Sequence, residues 1–220
     1  MPSSDHEVPP RGFEFGTRRT GRGAGPIPRL KTRHPHDSIR TRGKVVLITG
    51  RTGGLGSATA RALLSRGARG GIVDLRPDTP EIAARISSSN VVGFTADVCD
   101  RNALADAVAH LPERFGRVDI VIANAGIMGQ GSTLRATPAP ATDKVLAVNI
   151  NCVVNTVNAA LEQIIANQGQ VVLISSVLPF LNGIGAIPYA MSKAAVEQLG
   201  RGLRVELAPT SPPPPPPTSP

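Results

Sequence analysis

The apolar, β-branched run Val45-Val46-Leu47-Ile48 leads directly into glycines at positions 50, 54 and 56. A short run apolar at every position predicts a strand buried on both faces, as in a parallel sheet. Gly50 permits a tight turn out of that strand. Gly54 lets a phosphate approach the backbone, and Gly56 allows the next helix to pack closely on the sheet. Leu55, Ala58, Ala62 and Leu63 predict that helix's apolar face, with its end near Gly67. Its first turn would present unpaired N–H groups and a positive dipole end to an anion. Thr49, Gly50, Arg51, Gly54, Leu55 and Gly56 are thus candidate contacts of a dinucleotide phosphate loop, the plainer alternative being a glycine-rich turn.

The same rhythm continues downstream. Gly70-Gly71-Ile72-Val73 predicts a second strand ending at Asp74, about 20 residues past the glycines, where a carboxylate can accept from ribose hydroxyls. A 2′-phosphate would be repelled there, which favours NAD over NADP, although Arg76 could reach such a phosphate. Val91 to Phe94 predicts a third strand leading to Asp97 and Val98, and residues 101–111 a helix. Val118 to Ile122 predicts a fourth strand, closing on Asn124-Ala125-Gly126. A long helix is expected over 142–167, a fifth strand over 171–174 and a last helix over 188–207. Strand and helix alternate, so the predicted class is α/β, a doubly wound parallel sheet with helices on both faces and its site along one edge.

A second cluster lies near the end of the chain. Tyr189 and Lys193 stand four residues apart, on one helix face, and Ser176 lies thirteen residues before the tyrosine. A phenol that titrates near pH ~10 is a poor acid–base catalyst at neutral pH, and a nearby ammonium favours its phenolate. That is the part expected of Lys193. A half-buried structural tyrosine is the bland alternative, and Tyr189 is the chain's single tyrosine.

From about Lys44 to Ala208 the sequence resembles a short-chain dehydrogenase/reductase with a Rossmann-type sheet. Positions 49–56 match the family's glycine pattern, Asn124-Ala125-Gly126 its strand-four motif, and Asp97-Val98 the adenine contact. Asn149, Ser176, Tyr189 and Lys193 match its catalytic tetrad. The resemblance implies reversible hydride transfer between a nicotinamide cofactor and a small carbonyl or secondary alcohol. Tyr189 would move the proton, Lys193 would also hold the nicotinamide ribose, Ser176 would bond the substrate oxygen, and Asn149 would anchor a relay water. Leu178, Phe180, Leu181, Ile127 and Met128 line an apolar pocket or belong to the core.

The resemblance ends at Pro209, where the family continues with further strands and a substrate loop. Residues 209–220 hold six consecutive prolines, cannot form interior strands and are expected as solvated polyproline II. An abrupt end or a shifted reading frame explains this tail more simply than a role in recruiting an aromatic groove. The expectation is therefore a truncated domain with its last strands missing, a weak or inactive enzyme, and an exposed fifth strand. A catalytically incompetent dinucleotide-binding fragment is the alternative reading.

Residues 1–43 carry nine Lys/Arg against four Asp/Glu and no apolar run, the composition of a disordered basic extension. The pI of about 10.7 describes that segment more than the 44–208 domain. Specific nucleic-acid binding is not expected, nor a metal site, because the histidines lack ligand spacing with any cysteine. With no signal peptide and no apolar stretch long enough to span a bilayer, the protein is placed in the cytoplasm, away from membranes. Cys99 and Cys152 are then expected as buried thiols rather than a disulfide. Assembly of copies through the two long helices is left open.

Overall fold

The computed structural model describes residues 41–50, 54–181 and 183–207. The predicted basic extension through residue 40, Arg51 and the proline-rich tail lie outside the described residues. The elements run β1 (Val45–Thr49), α1 (Gly54–Leu64), β2 (Arg69–Asp74), α2 (Thr79–Ile86), β3 (Val91–Thr95) and α3 (Arg101–Phe115). They continue with β4 (Ile120–Ala123), α4 (Ala139–Leu146), a π-helical turn over Ala147–Asn151, α5 (Cys152–Ala166), β5 (Gln170–Leu173) and α6 (Ile187–Glu206). All strand pairs are parallel and the sheet order is β3-β2-β1-β4-β5. The order reverses at β1, which places a crevice beyond the carboxyl ends of β1 and β4.

Side-chain alternation along β1 divides the core. Val45 and Leu47 pack with Val73, Val121 and the α3 and α5 residues Leu104, Leu111 and Ile164 on one face. Val46 and Ile48 pack with Ala60, Leu63, Leu64 and Ala83 of α1 and α2 on the other. The face predicted for α1 is displaced in part: Leu63 packs on the core as expected, but Leu55, Ala58 and Ala62 are exposed, and Gly56, Ala60 and Leu64 are turned inward in their place. Helical spacing fits either stripe; packing against Val46 and Ile48 selects the second. Helix α2 was not foreseen; it is eight residues long with Pro80 in its first turn, a position that suits proline.

The expected long helix is continuous over Ala139–Ala166 but contains the π turn. By length and composition it is apolar enough to cross a bilayer, contrary to the sequence reading that no stretch reaches that length. Its Val153, Val157, Ala160 and Ile164 are nevertheless buried in the fold.

A second correction concerns the cysteines. Cys99 and Cys152 form a disulfide, with Cα atoms 4.8 Å apart. Their sequence separation of 53 gives no hint that the exit of β3 passes over the first turn of α5.

At the opposite end of the sheet Asp119 is 1% exposed. It accepts from Lys44 Nζ at 2.8 Å and from the Val45 N–H at 3.0 Å, and pairs with Arg117 at 2.5 Å. Burial alone would raise its pKa. The Lys44 hydrogen bond, the Val45 amide and the two cations outweigh burial and hold it below the ordinary carboxylate value. Asp119→Asn should therefore cost about 1–3 kcal/mol at pH 7. Because the folded-state pKa is depressed, this contribution is complete above pH ~4 and is lost as pH falls through the folded value. Urea denaturation of both proteins checks this: their midpoints should differ at pH 7 and converge in acid.

Candidate functional site

Register builds the site. Thr49 stands beside Val73 and Ala123, and Ala123 beside Leu173. The residues that follow these positions, Gly50, Asp74, Asn124 and Ile174, therefore emerge on one sheet edge.

Gly50 has φ +70°, and its N–H donates to Val73 O at 2.9 Å. Asn124 Nδ2 donates to Thr49 O at 3.1 Å and also to Gly50 O. The turn after β1 and the segment after β4 are thereby joined. Thr49 is fully buried, and its hydroxyl has no hydrogen-bond partner among the described residues. Gly54 opens α1, and a Cβ built there meets nothing within 4 Å. Leu55 beside it is 58% exposed and lies at the surface rather than in the core. Gly56 is buried against the sheet.

Asp74, at the end of β2, is buried and accepts from the Arg76 N–H at 3.2 Å. The Arg76 guanidinium forks onto Asp78, with contacts of 2.7 and 2.6 Å. Beyond β3, the exposed Asp97 accepts from the Cys99 N–H at 2.8 Å, and Val98 is buried. Arg51 lies outside the described residues.

The second cluster meets the first at Gly126. A Cβ at Gly126 would stand 3.2 Å from Asn149 Oδ1 and 3.4 Å from Lys193 Nζ. Ala125 packs beside Gly50, and glycine at 126 leaves room above the lysine and asparagine. Asn149 is fully buried in the π turn. Its Oδ1 accepts from Ile127 N at 2.8 Å, while Nδ2 donates to Ile127 O at 2.8 Å and to Ser192 Oγ at 3.0 Å. Three of the four hydrogen-bonding positions on its amide are thus committed. Lys193 is 3% exposed and donates to Ile174 O at 2.7 Å. Burial pushes its pKa down. Its Nζ lies 5.8 Å from the centroid of the half-buried Tyr189 ring. Ser175 Oγ donates to Lys193 O at 3.0 Å, whereas Ser176 Oγ accepts from Leu178 N at 3.2 Å. Ser175 is accordingly tied to the α6 backbone, and Ser176 begins the loop before α6.

Two residues at this site were not singled out from sequence. Ser192 receives the Asn149 bond and donates to Tyr189 O at 2.7 Å, which ties the π turn to the helix of Tyr189. A serine three residues after a helical tyrosine, placed for such back-bonding, was its available signal. Asn155 reaches Val98 O from α5 and has no comparable signal. The apolar candidates divide: Ile127 is bonded to Asn149 through its backbone, Met128 and Phe180 are exposed, and Leu178 and Leu181 line a groove of about 690 Å³ with Ile187, Ala190, Met191 and Ala194. By helical spacing that side of α6 is turned well away from Tyr189 and Lys193.

The family profile described as short chain dehydrogenase matches residues 44–211. The chain belongs to that family. It is 34% identical over 172 residues to the 2-(R)-hydroxypropyl-CoM dehydrogenase of Xanthobacter autotrophicus, covering 75% of this chain and 69% of that protein. The crystal structure of an NAD⁺-bound xylitol dehydrogenase superposes with a TM-score of 0.73 at 26% identity, over 77% of this chain and 67% of that one. ElxO with NADPH bound gives 0.70 at 27% identity, over 75% and 68%. The chain spans about two thirds of the length of the relatives it matches; for the oxidoreductase UcpA of Escherichia coli the share is 64%.

Proposed function

We propose that this chain binds NAD across the β1–β4 crevice and serves hydride transfer between it and a small carbonyl or secondary alcohol. The observation that carries this reading is the convergence of Lys193 and Asn149 beneath Gly126, with Tyr189 on the lysine's face of α6. The crevice suits a dinucleotide. Open space at Gly54, the unpartnered Thr49 hydroxyl and the bare Gly126 backbone lie where pyrophosphate and nicotinamide would pass. Thr49, Gly50, Arg51, Gly54, Leu55 and Gly56 would hold the phosphates, Asp74 the adenosine ribose, Asp97 and Val98 the adenine, and Asn124, Ala125 and Gly126 the nicotinamide side.

When bound, the nicotinamide supplies or accepts the hydride. Tyr189 gives a proton to the substrate oxygen or takes one from it. Lys193 keeps two N–H groups beyond its Ile174 bond for the ribose, and its ammonium stands 5.8 Å from the centre of the Tyr189 ring. Ser176 holds the substrate oxygen. Asn149 fixes the loop at Ile127 and the helix at Ser192, and its relay water would use the one position its amide keeps. The substrates of family members such as hydroxypropyl-CoM dehydrogenase support a small molecule as the partner. We place the protein in the cytoplasm, with no nucleic acid or membrane partner, and with α4–α5 and α6 available to pair copies. The second reading, a nucleotide-binding fragment without turnover, draws on β5, which pairs only with β4 among the described residues.

NAD is preferred to NADP because Asp74 repels a 2′-phosphate and Arg76 is already held by Asp78. NADH should bind at least roughly tenfold more tightly than NADPH, and Asp74→Ala should narrow the gap. Titration of both by nicotinamide fluorescence checks this. Tighter NADPH binding by the unaltered chain would contradict the role given to Asp74.

A further inference from the structure

We propose that Cys99–Cys152 is a thiol-exchange site whose redox state sets nucleotide affinity at the adenosine end of the crevice. The consequence for affinity rests on the dinucleotide reading above; the exchange chemistry rests on the placement of the two sulfurs.

After β3 the chain passes Asp97, Val98 and Cys99 before Asp100 caps α3, accepting from the N–H groups of Asn102 at 2.9 Å and Ala103 at 3.1 Å. Cys152 is the first residue of α5, directly after the π turn that carries Asn149. The disulfide therefore fastens the adenine-side segment to the helix that also supports the reactive end of the site. Asn155 adds two weaker fastenings one turn along. It donates to Val98 O at 3.3 Å and accepts from Arg101 Nε at 3.0 Å. Segment 97–101 is thus held to α5 by one covalent link and two hydrogen bonds.

The two sulfurs differ in access. Cys152 is 1% exposed, whereas Cys99 lies at the surface. A thiolate of a dithiol reductant can attack the Cys99 sulfur. The S–S bond breaks, and Cys152 leaves with the electron pair and takes a proton from solvent. The second thiol of the reductant then displaces Cys99 from the mixed disulfide. Two electrons pass to the pair, and the reductant leaves as its own disulfide. A small-molecule disulfide such as oxidised glutathione runs the sequence in reverse. Disulfides in a reducing compartment are characteristically transient and redox-sensing, which accords with a cytoplasmic location.

Once reduced, the segment depends on Asn155 and divides its time between held and released arrangements. Apparent affinity falls by the inverse of the held fraction, so nucleotide Kd should rise roughly three- to tenfold. Turnover at saturating nucleotide should not change, because Tyr189 and Lys193 lie on α6, Ser176 in the loop before it, and Asn149 keeps its bonds to Ile127 and Ser192 without the disulfide.

The test uses the full chain, oxidised in air and then reduced with dithiothreitol. Each form is titrated with NADH, and amide hydrogen exchange is followed over residues 96–103. The expected result is a weaker affinity and faster exchange after reduction, with Cys99→Ser fixed at the reduced values and unresponsive to dithiothreitol. Three outcomes overturn the proposal: equal NADH affinity in both redox forms, unchanged exchange over 96–103, or a pair that stays reduced in air. NADH binding that ignores reduction would sink the redox site and leave the dinucleotide reading standing. Absence of NADH binding in either form would remove that reading, and the affinity claim with it.

Discussion

Tyr189→Phe should lower carbonyl reduction by about 10²–10⁴-fold while nucleotide affinity stays within roughly twofold. The ring remains where it is, 5.8 Å from Lys193 Nζ, and only the transferable proton is removed. The phenol has no hydrogen-bond partner among the described residues, so its loss leaves no buried group unpaired. Lys193→Ala should behave differently and weaken both turnover and binding. The lysine is 3% exposed, holds Ile174 O and lies 3.4 Å from where a Cβ on Gly126 would stand. Lys193→Met separates packing from charge: it fills the space and should fail in both readouts nonetheless. Steady-state reduction of a panel of small ketones, read beside NADH titration, checks all three variants. Unaltered rates in Tyr189→Phe would remove the tyrosine from proton transfer. Nucleotide binding without turnover in the unaltered chain would instead favour the fragment reading.

Gly50→Ala should lose about 2–5 kcal/mol of stability, the sum of a left-handed backbone penalty and steric overpacking. Gly50 sits at φ +70°, and its added Cβ would lie 2.7 Å from Ala125 N, a backbone atom that cannot turn aside. Relief requires the end of β4 to move away from β1. That movement would stretch both Asn124 bonds and widen the crevice in which the phosphates are placed. Thermal unfolding should fall by roughly 5–15 °C for a chain of this size. NADH affinity measured well below the new midpoint should fall as well. Gly54→Ala is the contrasting variant, because its Cβ meets nothing and the fold should tolerate it. Equal midpoints for Gly50→Ala and the unaltered chain would show that β1 and β4 approach less closely than described.

Much of this was readable beforehand because the informative positions are local. Five strands, three of them buried, announced themselves as apolar runs, and the parallel sheet followed from their alternation with helices. What could not be read depends on contacts distant in sequence. Leu55 looked like core beside Leu63 until packing on Val46 and Ile48 selected Ala60 and Leu64 in its place. Cys99 and Cys152 meet only because the exit of β3 crosses the start of α5. Asn149 and Ser192 face each other because two helices cross, and no spacing in either segment encodes that crossing. The positions matching the family pattern were legible, whereas the residues that hold them in place were not.

The π turn has a consequence for how such a chain can decay. A π turn takes up one residue more than an α turn, so the helical stretches on either side keep their register, α4 against α6 and α5 against β4. A single-residue deletion within Ala147–Asn151 would close the turn to ordinary α geometry at little structural cost. Val145 before it and Val153, Val157 and Ile164 after it would still face the core. Asn149 would lose the bulge that carries it to Ile127 and Ser192. In a gene under weak selection, that small lesion would leave a descendant that still folds and retains its glycine and Tyr-Lys signatures, yet no longer locks the floor of its crevice.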